Sequence, residues 1–162
     1  MIRFVSGNLL EAQTPFLAQG VATGSREGLG TGLALKISTK WPEVQQQFKQ
    51  HTRNHSFAGG DLFVVPPTAE RPGVIYLATQ PNMYRATKSY LNRGLRNLVK
   101  FCDQHQVESV ALPKIGAGLG KLDWMAVVRP LLIKHLAHSA TEFVIFEYFR
   151  LEDQRRQLVT TG

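Results

Sequence analysis

The stretch Ala111–Trp124, ALPKIGAGLGKLDW, joins an apolar run ending in proline to four small residues within Gly116–Gly120, then an acid ahead of a tryptophan. The apolar run, with Ser109 and Val110 before it, reads as a buried strand. Asp123 stands where a helix N-cap belongs, ahead of WMAVVRPLLIKHLAH, in which Val127, Val128, Leu131 and Leu132 supply an apolar stripe. A flexible loop between a strand and a helix has a specific use. Glycine lets backbone N–H groups approach a ligand with no Cβ in the way. Opening onto a helix N-terminus, such a loop forms an anion-binding nest.

Working outward, strand and helix signals alternate along the whole chain. IRFVSG, PFLAQGVA, DLFVVPP and GVIYLATQ read as strands, bounded by Gly or Pro. GTGLALKISTKWPEVQQQFKQHT reads as helix, with Pro42 marking a break or a new first turn. In ATKSYLNRGLRNLVKFCDQHQV, Leu91, Leu95, Leu98 and Cys102 fall on one helical face, with Val99 beside them. TEFVIFEYF closes the series as a strand, and the residues from Arg150 to Gly162 read as a polar tail. There is no internal repeat and no linker. The expected architecture is α/β: a three-layer α/β/α sandwich around a central mixed sheet, one domain over residues 1–149.

Composition narrows the partners. The 162 residues are 43% apolar with nine Phe, enough for a substantial core, and the net charge of +7 with a pI of about 9.9 favours anionic partners. No apolar run approaches the roughly 20 residues of a membrane span, and MIRFVSGNLL opens like a strand with no signal-peptide pattern. Cys102 is the sole cysteine, which excludes a disulfide framework and a cysteine metal site. His51 and His55, in HTRNHS, have no carboxylate nearby and read as surface groups. The expectations are a cytoplasmic monomer with no cofactor, no metal and no membrane contact, and nucleic acid as an alternative partner.

Three Gly-bearing turns follow strands: GNLL at Gly7–Leu10, ATGSREGLGTGLA at Ala22–Ala34, and GAGLG at Gly116–Gly120. Two long loops lying side by side at one end of a sheet would cradle a diphosphate, the usual ligand position in open α/β sheets. The spacing matches neither a Walker A loop nor a dinucleotide fingerprint, because there is no G-K-[ST] and GLGTGLA does not follow the first strand.

Together, VSGNLLEA, GLGTGLALKISTKWP and ALPKIGAGLGKLDWMAVVRPLL resemble the macrodomain, an ADP-ribose-binding module, in order from Ile2 to Phe149. GNLL and the LPxIGxGLGxLxW pattern are most similar to a branch containing bacterial DNA ADP-ribosyl glycohydrolase antitoxins and animal terminal ADP-ribose glycohydrolases. The resemblance implies that Asn8 meets the adenine amino group and that Phe146 packs against the ring. It implies a first phosphate and distal-ribose loop at Gly30, Thr31, Gly32 and Leu33. The second loop is Ile115, Gly116, Ala117, Gly118, Leu119 and Gly120.

The departures concern catalysis. The branch carries a lysine where this chain has Gln80, an aspartate where it has Gly120, and many macrodomains carry an asparagine for which QGVATGSREG has no match. An amide cannot form an imine with an opened ribose as an amine can. The remaining catalytic candidates are Glu27, Asp123 and Gln80, with Asp123 also the natural helix cap. Lys121, Arg85 and Lys88 are candidates for the pocket rim. The function expected is binding of ADP-ribose, or of ADP-ribosylated protein or nucleic acid, with weak hydrolysis at most. An active glycohydrolase using a positioned water and a basic nucleic-acid-binding domain are the alternatives.

Overall fold

The computed structural model describes residues 1–23, 29–30, 32–118 and 120–148. Glu27, Thr31, Leu119 and the tail from Arg150 lie outside the described residues.

Six strands form one mixed sheet: β1 (Ile2–Ser6), β2 (Phe16–Ala22), β3 (Leu62–Val65), β4 (Gly73–Gln80), β5 (Ser109–Leu112) and β6 (Glu142–Tyr148). Their order is β1-β6-β5-β2-β4-β3, and all neighbours pair in parallel except β3, which runs antiparallel to β4. Helices α1 (Gly32–Lys40), α2 (Pro42–Asn54), α3 (Lys88–His105) and α4 (Arg129–Leu136) cover it. Ile37, Val44 and Phe48 of α1 and α2 pack on Val65, Val74, Tyr76 and Ala78. Leu91, Leu95 and Leu98 of α3, with Leu131, Leu132 and Leu136 of α4, pack with Ile75, Leu77, Val110 and Ile145. This is the expected three-layer sandwich. β4 shows why: all eight of its residues are buried, as a strand covered on both faces must be.

Local chemistry sets the helix ends. Pro42 opens the first turn of α2, where its missing N–H is no loss, so the long helical stretch divides at Trp41. Thr87 caps α3 through a bond accepted from the Tyr90 N–H. In α3 the predicted face is the buried one: Leu91, Leu95, Leu98 and Cys102 have no solvent exposure.

Two features depart from the sequence reading. A short 3-10 turn at Leu9–Glu11 follows β1, and Asn8 caps it by accepting the Leu10 N–H at 3.0 Å. The last helix begins as a π turn over Trp124–Val128, closed by the Arg129 N–H on the Trp124 carbonyl. Pro130 has no N–H to carry an α ladder back to Ala126, and this favours the wider turn there.

Candidate functional site

β2 and β5 are neighbours in the sheet. The loops that follow them therefore open at the same end, although they lie far apart in the chain. Between them is a cleft of about 240 Å³. One wall is Gly32, Leu33 and Ala34 at the start of α1, and the other is Ile115, Gly116, Gly118 and Gly120. Gln19, Gly20, Val21 and Ala22 of β2 and Thr79 and Gln80 of β4 form the strand ends beneath, with Met83 at the side.

A second cleft of about 220 Å³ is lined by Gly7, Asn8, Leu9, Leu10, Lys36, Phe146 and Glu147. The two hollows share Gly32, Leu33 and Pro113, so they adjoin along this face. The aromatic end is built by the β1–β6 pair, in which Val5 registers with Phe146 before the register shifts at Ser6. That brings Gly7 against the ring: a Cβ at Gly7 would lie 3.8 Å from Phe146 Cε2. Glu147 is held by the Trp124 indole, which donates to its Oε1 at 3.3 Å.

The second Gly-rich loop is a tight coil closed by its own backbone. Leu122 N–H bonds the Gly116 carbonyl at 2.9 Å, Ala117 N–H bonds that of Lys114 at 3.0 Å, and Ala86 N–H bonds that of Gly120 at 2.8 Å. Gly116 has φ +81°, a conformation that favours glycine. Gly120 is glycine for another reason: a Cβ there would lie 2.6 Å from the Gly116 oxygen and 2.8 Å from Ala86 Cβ. At Gly118 a Cβ would meet nothing within 4 Å.

The structure brings most of the sequence candidates together and leaves some out. Gly32, Leu33, Ile115, Gly116, Gly118, Gly120 and Gln80 line the first hollow, and Asn8 and Phe146 the second. Gly30 and Ala117 adjoin the walls without being among the lining residues. Gln80 is buried, and its Nε2 donates to the Asn82 carbonyl at 2.7 Å. Asp123 does not line either hollow: its carboxylate accepts the Ala126 N–H at 2.7 Å, which is the cap geometry. Lys88 faces a different groove between α3 and α4, and Lys121 and Arg85 are exposed. His51 stacks on His55 and on Phe63, at centroid distances of 4.5 and 4.4 Å. Burial and the neighbouring His55 lower the His51 pKa.

Sequence reasoning missed Gln19, Thr79, Met83, Leu10, Lys36 and Glu147 as cleft residues. For Gln19 and Thr79 a signal existed: each is a polar residue inside an otherwise apolar strand, FLAQGVA and GVIYLATQ.

The architecture is thus an α/β/α domain with a groove of two adjoining hollows, one of them glycine-walled, at the carboxyl ends of its central strands. The chain belongs to the Macro domain family, whose model matches residues 21–131. It is 32% identical over 150 residues to a DNA ADP-ribosyl glycohydrolase of Thermus aquaticus, across 91% of this chain and 41% of that protein. It is 27% identical over 127 residues to the ADP-ribose glycohydrolase OARD1 of Homo sapiens, across 76% of each. The solved macrodomain of Thermus aquaticus DarG superposes with a TM-score of 0.82 at 30% identity, covering 91% of this chain and 98% of that one. The chain spans about two-fifths of the length of the DNA ADP-ribosyl glycohydrolases it matches, 41% and 38%.

Proposed function

We propose that this chain binds ADP-ribose, free or carried on a protein or a nucleic acid, along the groove. The observation that carries the reading is the groove's shape and chemistry. One end is aromatic and apolar, with the Asn8 amide beside it, and suits a purine. The middle and far end are walled by backbone of two glycine-bearing loops, which suits a diphosphate. The second ribose then lies toward Gln80. The chain's net charge of +7 favours such an anion, and the names of the relatives support the same ligand. Calorimetry with AMP and ADP-ribose tests this: ADP-ribose binds more tightly, because only it fills both hollows. Equal affinity for the two ligands, or none for either, overturns the assignment.

Release of ADP-ribose from an acceptor is the second reading, favoured by relatives that are named glycohydrolases. Gln80 offers no amine for an imine intermediate. Hydrolysis in this groove therefore falls to a water, with loop amides stabilising the charge that develops. A nucleic-acid-binding role without a nucleotide pocket rests on net charge alone. The setting we propose is a cytoplasmic monomer with a single folded domain over residues 1–149. A single cysteine, Cys102, and so no disulfide framework, suits a reducing compartment.

A further inference from the structure

The turn between β4 and α3 holds an aromatic ring out into solvent beside the Gly-walled hollow. Tyr84 is 66% exposed, and no other aromatic among the described side chains stands out so far. Met83 before it lines the hollow. The turn is fixed at both ends. Gln80 Nε2 donates to the Asn82 carbonyl at 2.7 Å, and Asn82 Oδ1 accepts the Tyr84 and Arg85 N–H groups at 2.9 and 3.1 Å. Ala86 N–H then bonds the Gly120 carbonyl at 2.8 Å, on the opposite wall. An apolar ring held in water by so many bonds makes no folding contribution of its own, and it is ready to stack on a flat partner.

Cations continue from the ring. From Tyr84 to Cys102 the chain has Arg85, Lys88, Arg93, Arg96 and Lys100, all exposed, and no acid. None of the five pairs with a carboxylate among the described residues. Lys88 opens a groove of about 550 Å³ between α3 and α4, with Ser89, Asn92 and Lys134 as its other polar residues and Val127 and Pro130 in its lining. Asp123, at its edge, accepts the Ala126 N–H. The half-buried His135 bonds Asn92 at 2.6 Å, and burial, Lys134 and Arg96 in that order lower its pKa, so Arg96 adds to the same positive field.

A ring followed by a row of cations matches a base followed by its phosphodiester backbone. An acidic peptide would use the cations and leave the ring idle, and a duplex would hide the faces of its bases. We infer that the acceptor of the ADP-ribose is a single-stranded nucleic acid, with its modified base on Tyr84 and its backbone along Arg85, Lys88 and Lys134 in the α3–α4 groove. The inference rests on the ADP-ribose reading, which puts the second ribose, and so the acceptor joined to it, toward Gln80. DNA and RNA share this chemistry, and the test includes both.

Fluorescence anisotropy and thermal melts on Tyr84→Ala, Tyr84→Trp and a Lys88→Ala, Lys134→Ala double variant test it. The ligands are short single-stranded DNA and RNA carrying one ADP-ribosylated base, an ADP-ribosylated peptide, and free ADP-ribose. Tyr84→Ala should weaken a modified strand about tenfold, the size of one base stack, and Tyr84→Trp should restore it. The double variant should flatten the dependence of log Kd on log salt by about 1.4, or 0.7 for each lost phosphate contact on a single strand. Free ADP-ribose, the peptide and Tm should be unchanged in all three. Unchanged strand affinity in Tyr84→Ala, or an unchanged salt slope in the double variant, overturns the inference. Equal losses for strand and peptide also overturn it, since the surface would then serve any acceptor. Free ADP-ribose bound by the parent separates these failures from failure of the ADP-ribose reading. A parent chain that ignores ADP-ribose overturns both.

Discussion

Replacing Gly118 by glutamate isolates the electrostatic part of the groove from its folding. Gly118 lines the Gly-walled hollow, its φ is not positive, and a Cβ there would meet nothing within 4 Å. A side chain therefore enters the hollow without backbone strain. Gly32 lacks that advantage, because its φ of +56° penalises any other residue. The magnitude follows from Coulomb's law. A carboxylate about 6 Å from each of two phosphate charges, at an effective dielectric of about 40, repels each by roughly 1.4 kcal/mol. The two together approach about 3 kcal/mol, or roughly a hundredfold in Kd. Gly118→Gln supplies the same bulk without the charge and should lose much less. Calorimetry with ADP-ribose in 0.15 M and 1 M salt reads the difference, since the screening length falls from about 8 Å to about 3 Å. The gap between Glu and Gln variants should narrow at high salt, with both melting as the parent does. Equal affinities for the two variants would refute the placement of the diphosphate beside this loop.

Restoring the branch's aspartate as Gly120→Asp should destabilise the fold by about 1–3 kcal/mol, an overpacking cost. The Cβ would collide with the Gly116 oxygen at 2.6 Å, and a thermal melt unchanged from the parent refutes that packing account. Asn8→Ala should cost stability of about 1 kcal/mol through the lost cap on Leu10 N–H. It should also weaken ADP-ribose by about 1–2 kcal/mol, with ribose-5-phosphate unaffected. Equal losses for both ligands, measured by calorimetry, would confine Asn8 to the cap. Gln80→Lys places an amine in a buried position that now bonds the Asn82 carbonyl. Burial should lower the amine's pKa. Borohydride should then trap a ribose adduct in this variant and none in the parent. Trapping in the parent, read by mass spectrometry, would show that another amine of the chain reaches the sugar.

Much of this molecule is legible along the chain because its elements are set by local rules. Short apolar runs bounded by Gly or Pro became β1, β2, β3 and β4. The Leu91, Leu95, Leu98 and Cys102 spacing became the buried face of α3, and Pro42 divided α1 from α2. The glycine loops stood out because glycine is costly wherever it has no backbone or approach role. Tertiary structure decided what these loops face. Parallel pairing of β2 with β5 and of β1 with β6 joins segments with no local signal for each other, and it alone creates the groove. It also separated residues that look alike in the sequence. Gly118 opens on the hollow while Gly120 is packed against backbone, because the direction of a Cβ depends on φ and ψ and on the neighbours they aim it at. Asn8 and Asp123 were read as possible site groups, and both carry backbone N–H bonds of the turns they cap. Gln19 and Thr79 passed unnoticed in two apolar strands, since only the packed structure brings both strand ends to the wall of the same hollow.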